Sequence, residues 1–428
     1  MVVVRQAGVL LLAALISSRG LFAQDGVPRD SLDQTPAVMS TTPADEVKVL
    51  LRPVEIRYVQ QEEVLLPRAA NIKGLYVNAW AFGSPKLWQL VRLADETEVN
   101  AFVIDVKDDT GCLLYPSSVP TAQQIGANTC VRAKDARARL DTLAAHGIYA
   151  IARIVVAKDP LLAERKPGWS VKERDTGGLW RDRINIAWVD AYNDSVWIYS
   201  AELAREAVRL GFQEVQFDYV RFPDEPRERM ATAIFPAHRP GVTQREAVRA
   251  HVALLKDRLR PLGVPVTFDI FGLTASVTTG DLGIGQVWED FVRVADVVLP
   301  MVYPSHYYRG AFGYAWPNGQ PYHIVRSALT DALHRSRPLP GSAEIRPFLQ
   351  AFTLGRRLPR YTPFEIREQI RAAEDLGITS WVLWNPRSVY QRGSLRPKNG
   401  GEPPGSPASP ASPASPASPS LSGTSGGP

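Results

Sequence analysis

Glu214-Val215-Gln216-Phe217-Asp218-Tyr219-Val220-Arg221-Phe222 reads as a buried strand: a nearly continuous β-branched and aromatic run with one carboxylate late in it. A helical pattern over about 194–210 precedes it. Another follows, opened by Thr243 with Glu246 three residues on, a spacing that lets two side chains satisfy two backbone N–H groups at a helix start. A strand set between helices belongs to a parallel sheet, since parallel neighbours need a crossover to join them.

The same unit recurs along the chain. Apolar, β-rich runs occur at Ile72–Asn78, Ala101–Val106, Tyr149–Val156, Val264–Phe271, Asp296–Tyr303, Arg346–Phe352 and Thr379–Trp384. Ser84-Pro85 opens one helix, with Leu87, Leu90, Val91 and Ala94 on a single face, and Thr362-Pro363 with Glu365 opens another. Further helical patterns fall near 133–146, 284–294 and 323–336. Eight strands alternating with helices over 71–392 predict a (β/α)8 TIM barrel in the α/β class. An open doubly wound sheet is the rival, but Ala79-Trp80-Ala81-Phe82-Gly83 after the first run is not a glycine-rich phosphate turn.

The ends differ in composition. Residues 1–23 carry one early cation, Arg5, then an apolar run too short to span a bilayer, then small residues up to Ala23, the layout of a signal peptide. The expected location is therefore outside the cytoplasm, with no stable membrane insertion after cleavage. Residues 24–70 read as a Pro-rich leader packing only in part, and 393–428, rich in Pro, Ser, Ala and Gly, as a disordered tail. In an exported chain Cys112 and Cys130 are expected to pair, closing a short loop worth about 3 kcal/mol in the chain-entropy model. Two unrelated free thiols are the alternative. The formal charge of +5 is interspersed with acids, and no basic run interleaves with aromatics, which speaks against nucleic acid as a partner.

In such a barrel, chemistry gathers where the strands end and the following loops begin. Asp105, Asp218 and Asp269 are late-strand carboxylates in apolar surroundings, costly unless paired or used. Asp218 and Asp269 lie on consecutive strands, roughly 4.8 Å apart, so their carboxyls are expected to approach to about 5 Å, the spacing of a retaining glycosidase pair. Each also fits a structural role as the partner of a buried cation, for which Lys107 and Arg221 are the nearest candidates. Aromatics crowd the same end: Tyr76, Trp80, Trp169, Trp180, Tyr219, Tyr303, Tyr307, Trp316 and Trp384. Sugar rings lay C–H faces on such rings. Gln216, Arg221, Tyr303, His306 and Asn385, with Asp105 and Lys107, complete the expected substrate-binding set. Neither metal nor cofactor is expected: the histidines are scattered, and no paired-His, GxSxG or Walker pattern occurs.

Several of these runs together resemble a known family. Lys73-Gly74-Leu75-Tyr76-Val77, Val103-Ile104-Asp105-Val106-Lys107-Asp108-Asp109, Gln216 through Pro223, Phe268-Asp269-Ile270-Phe271-Gly272 and Pro300 through Tyr307 are similar to the motifs of the putative glycosyl hydrolase domain family. The resemblance spans roughly 72–385 and implies relatedness to amylase-like barrels. There the strand-4 acid is the nucleophile, the position of Asp218, and the strand-5 acid is the acid/base, the position of Asp269. The chain departs from amylases in having Gln216 where they carry Arg, Asp where they carry Glu on strand 5, and no strand-7 Asp in Gln350-Ala351-Phe352-Thr353. The expected function is hydrolysis of a poly- or oligosaccharide by Asp218 and Asp269. Glycan binding without turnover on a decayed barrel is the alternative.

Overall fold

The computed structural model describes residues 71–399. The expected signal peptide, the leader and the tail beyond 399 lie outside the described residues. Eight parallel staves close on themselves: β1 Lys73–Val77, β2 Ala101–Lys107, β3 Tyr149–Val155, β4 Glu214–Asp218, β5 Val266–Phe271, β6 Val297–Val302, β7 Phe348–Gln350 and β8 Trp381–Trp384. Each pairs with the next, and β8 returns to β1 through Lys73 opposite Trp381 and Leu75 opposite Leu383. The stave ending in β7 begins lower, at Glu344–Ile345 against β6, and its ladder lapses at Pro347, which has no N–H to give.

Helices cover the cylinder: α1 Lys86–Glu96, α2 Ala136–Ala145, α3 Asp194–Leu210, α4 Gln244–Leu259, α5 Trp288–Val292, α6 Pro321–Ser336 and α7 Pro363–Glu374. The capping boxes of Thr243 with Glu246 and of Thr362 with Glu365 both form. Leu87, Leu90, Val91 and Ala94 are the buried stripe of α1. Alternation along the strands splits the core in two. Phe102, Ile104, Ile154, Phe217 and Phe268 face the helices. Tyr76, Val103, Ile151, Leu299, Phe348 and Val382 fill the lumen. Low in the lumen, Arg346 donates to Glu214 at 2.6 Å, both fully buried. Among the described residues no helix is long and apolar enough to cross a membrane.

Three places depart from the sequence reading. β4 stops at Asp218 rather than running to Phe222, because Tyr219 turns into the left-handed region at φ 54°. α5 is five residues rather than the expected span near 284–294, since Gly283 and Gly285 hold positive φ just before it. After β8 there is no α-helix among the described residues. The chain descends in extended form through a turn at Arg392–Ser394, and Glu98 N–H donates to Arg396 O at 2.9 Å. Leu395 is fully buried and Arg396 pairs with Glu374 at 2.7 Å, so the packed chain continues beyond Gly393, where the sequence reading began the tail. Pro386 and Pro397 bracket this stretch and disfavour a helix there.

Cys112 and Cys130 form a disulfide, their Cα atoms 5.5 Å apart, within the loop joining β2 to α2. The loop is also laid back on its strand by Leu114 N–H to Val106 O at 2.9 Å. If the descending segment is an integral part of the packed domain, Leu395→Ala lowers stability by about 2–5 kcal/mol in denaturant unfolding. A loss within 0.5 kcal/mol, roughly the surface level, would mean the segment is dispensable.

Candidate active site

The period of two along each strand decides which side chains enter the lumen. Tyr76 on β1, Asp105 on β2, Arg153 on β3, Asp218 on β4 and Asp269 on β5 share the inward parity of Val103 and Ile151. Asp105 stands directly opposite Arg153, and Arg153 is opposite Gln216, two residues below Asp218. The arginine therefore starts lower than Asp218 and its long side chain rises between the acids.

That guanidinium organises the site. Its Nη1 donates to Asp105 Oδ1 at 2.5 Å, and its Nη2 and Nε donate to Asp218 Oδ2 at 2.5 and 3.1 Å. Asp269 Oδ2 lies 3.8 Å from the same Nε. Tyr76 donates its phenol to Asp105 Oδ2 at 2.5 Å, and Gln216 Nε2 donates to Asp269 Oδ2 at 3.0 Å. Asp218 receives a further bond on Oδ1 from the N–H of Tyr219 at 2.6 Å, made possible by the positive φ of that residue. A bulky residue in that region stores on the order of 1–3 kcal/mol of strain. The wall is aromatic: Trp384 stacks on Tyr76 with centroids 3.8 Å apart, and the Arg153 guanidinium lies 5.0 Å from the Trp384 ring.

One cation among three buried carboxylates leaves excess negative charge, so protonation is favoured where stabilising bonds are fewest. Burial pushes Asp105 up to about 6, with Arg153 and the Tyr76 phenol pulling the other way. Asp269 is held well above the ordinary carboxylate range, first by burial and then by the charge of Asp218. Its Oδ1 is buried and has no partner. The Tyr303 phenol is likewise raised by burial and by Asp269 and Asp218, and so stays a hydrogen-bond donor. Burial and Arg357 lower His306 to about 4, which keeps its ring neutral. Among the described residues no group of three His, Cys, Asp or Glu side chains is placed to hold a metal ion.

Residues 74–390 match the family described as "Putative glycosyl hydrolase domain". The chain belongs to that family. A hypothetical protein from Ruminiclostridium thermocellum is 37% identical over 46% of this chain and 96% of its own, with a TM-score of 0.40. The glycoside hydrolase domain of PgaB from Bordetella bronchiseptica is 15% identical, with a TM-score of 0.52, covering 76% of this chain and 98% of that one; at this identity the likeness is one of fold. An α-galactosidase from Thermus thermophilus is 16% identical with a TM-score of 0.46, covering 76% and 63% of the two chains. No curated protein matches.

Within this glycosyl hydrolase domain, Asp105, Asp218, Asp269, Tyr76, Gln216 and Trp384 gather around Arg153, and Tyr303 lies in the field of Asp218 and Asp269. Lys107 does not join them. A register shift between Asp105 and Lys107 turns it out of the lumen, where it pairs with Asp159 at 2.7 Å, both fully buried. Arg221 is not a carboxylate partner either: it donates to Phe222 O at 2.9 Å and lies over the rings of Tyr219 and Phe271. Asn385 stitches strand ends by donating to Ala351 O at 2.6 Å. His306 lies edge-on to Tyr303, 5.5 Å between centroids, and Trp80 stands open at the rim under the Arg132 guanidinium at 3.8 Å. Trp180 is fully buried, so it offers no stacking face.

The sequence reading overlooked Arg153, although a lone charge in Ala150-Ile151-Ala152-Arg153-Ile154-Val155 carries the same warrant as the three acids. Replacing it by methionine leaves those acids without a cation, and Arg153→Met is expected to lower stability by about 3–5 kcal/mol in denaturant unfolding. Asp105 titrates near 3.8 in an unfolded chain and near 6 when folded, so folding favours its protonated form. Its stabilising contribution is complete below about 3.8 and is lost as pH rises through about 6. From pH 4 to 7, the wild type is expected to lose stability relative to Asp105→Asn. A difference constant with pH would refute the raised value.

Proposed function

We propose that the chain is an exported glycoside hydrolase that cleaves a poly- or oligosaccharide with retention of configuration, Asp218 being the nucleophile and Asp269 the acid/base. The observation that carries this reading is the unequal treatment of two adjacent carboxyls by one guanidinium. Asp218 accepts two N–H bonds from Arg153 and one from the Tyr219 backbone. Asp269 has only the Gln216 amide on one oxygen and nothing on the other, which favours its acid form. Unequal environments for paired acids are how acid and base roles are divided near neutrality.

The roles follow in order. An Asp218 oxygen attacks the anomeric carbon while Asp269 gives its proton to the glycosidic oxygen, and the bond between that oxygen and the anomeric carbon breaks. Asp269, now ionised, takes a proton from a water that displaces Asp218 and frees the sugar. Contact of both carboxyls with the same guanidinium supports this close spacing rather than one wide enough for an intervening water. Arg153 is a positioning residue, and Asp105 with Tyr76 holds its other face. Tyr303 and His306 are assigned to sugar hydroxyls, Trp384 and Trp80 to ring stacking. Export is supported by the 1–23 segment and by a disulfide suited to an oxidising compartment.

Glycan binding without turnover is favoured by one observation: all three acids are nearly fully buried and already engaged. Screening the purified chain against envelope and storage polysaccharides separates the readings. For hydrolysis, Asp269→Ala lowers kcat by about 10²–10⁴-fold on ordinary glycosides, and much less on aryl glycosides whose leaving group needs no proton. Asp218→Asn abolishes turnover on both. Saturable binding with no turnover, unchanged by Asp218→Asn, would establish the binding protein instead.

A further inference from the structure

The mouth of the barrel is electrostatically two-sided. The loops after β6, β7 and β8, over 303–320, 351–362 and 385–391, contain no Asp, Glu or Lys. They do contain Arg309, Arg356, Arg357, Arg360 and Arg387, all five exposed and none in an ion pair with an acid among the described residues. Across the mouth acids are present and several cations pair with them, Lys158 with Asp109 at 2.8 Å, Arg181 with Glu164 at 3.0 Å and Arg229 with Glu173 at 2.7 Å, while Arg132 and Arg221 lie over aromatic rings.

The arginine side is built and joined to the chemistry. Asn318 donates to Leu358 O at 2.9 Å and Tyr361 to Asn318 O at 3.2 Å, binding the β6 and β7 loops together. Arg357 Nη1 donates to Ser305 O at 2.9 Å, two residues past Tyr303. Tyr303, His306 and Phe352 form one edge-on ring cluster at 5.5 to 6.1 Å, which packs the β6 loop against the β7 loop that carries Arg357. Trp316 and Tyr308 are 72% and 51% exposed, with the Arg309 guanidinium 5.8 Å from the Trp316 ring.

Exposed rings fit sugar faces, and uncompensated arginines fit anions. The use of arginine alone points to planar, two-pronged acceptors such as carboxylates rather than to general positive charge. We propose that the substrate is an anionic glycan, whose acidic groups lie along the β6–β8 wall while its backbone crosses Asp218 and Asp269. This rests on the glycosidase reading of the mouth and adds the class of sugar. Uronates and phosphate-substituted sugars share the chemistry required.

The test uses the full chain carrying Asp218→Asn, so that ligand is not consumed. Calorimetry compares oligouronates of galacturonate, glucuronate and mannuronate, their carboxyl-reduced neutral forms, a phosphate-substituted oligosaccharide and single-stranded DNA. At least one anionic oligosaccharide is expected to bind about tenfold or more tightly than its neutral counterpart, with a margin that shrinks as salt rises. Replacing Arg309, Arg356 and Arg360 together by glutamine is expected to erase the margin and leave neutral-form affinity in place. The better anion, uronate or phosphate, then identifies the source. Equal affinity for charged and neutral forms, a margin that survives the triple substitution, no binding by any anionic oligosaccharide, or DNA bound as tightly as the best of them would overturn the proposal. Wild-type hydrolysis is scored separately. Cleavage of neutral glycans with no anion preference sinks the proposal but not the hydrolase, and an arginine-dependent margin without hydrolysis of any glycan does the reverse.

Discussion

A single guanidinium in a closed lumen is the constraint on which the site depends. Arg153 is almost entirely shielded from water, and so are the three carboxylates it touches. None of the four would be tolerable there alone, since an isolated buried ion costs several kcal/mol even after relaxation. Together they still carry more negative than positive charge, and burial and the charge of Asp218 raise the Asp269 carboxyl while Asp218 collects the hydrogen bonds. The different surroundings of two chemically identical side chains are thus set by what donates to each.

The barrel supplies the conditions for this. Its closed ladder leaves no strand edge to satisfy, and alternation along every strand separates a helix-facing core from a lumen. Low in the lumen a second buried pair, Arg346 with Glu214, continues the polar axis that Arg153 begins above. Two local irregularities then aim the functional groups. The register shift after Asp105 sends Lys107 outward to Asp159, so the lumen holds one cation at that level rather than two. The left-handed turn at Tyr219 ends β4 and points a backbone N–H at Asp218. Irregular backbone next to candidate chemistry is where strain is usually kept.

Around that centre the loops divide. Those after β2, β3 and β4 are stiffened by a disulfide and by charge pairs within themselves. Those after β6, β7 and β8 are tied by backbone-directed bonds and leave their arginines uncompensated. The first arrangement consumes charge in holding shape, while the second keeps charge available at the surface.

The architecture was legible in the chain because it follows from local periodicity. Eight apolar runs, helix-start signals at Thr243 and Thr362, and three acids late in strands required nothing beyond neighbours in sequence. The shared inward parity of Asp105, Asp218 and Asp269 came only with the strand register, because runs that are apolar on both faces do not mark which face turns inward. The fate of each charge was not legible either, because it depends on what lies across the cylinder. Lys107 and Arg221 were the nearest cations in sequence, yet Arg153 is the one that reaches the acids, from a strand between theirs. A one-residue register shift, a positive φ at Tyr219 and the burial of Leu395 beyond the last strand are likewise tertiary outcomes. Which groups pair inside a low-dielectric lumen is decided by distances through space, and only closure of the barrel sets those.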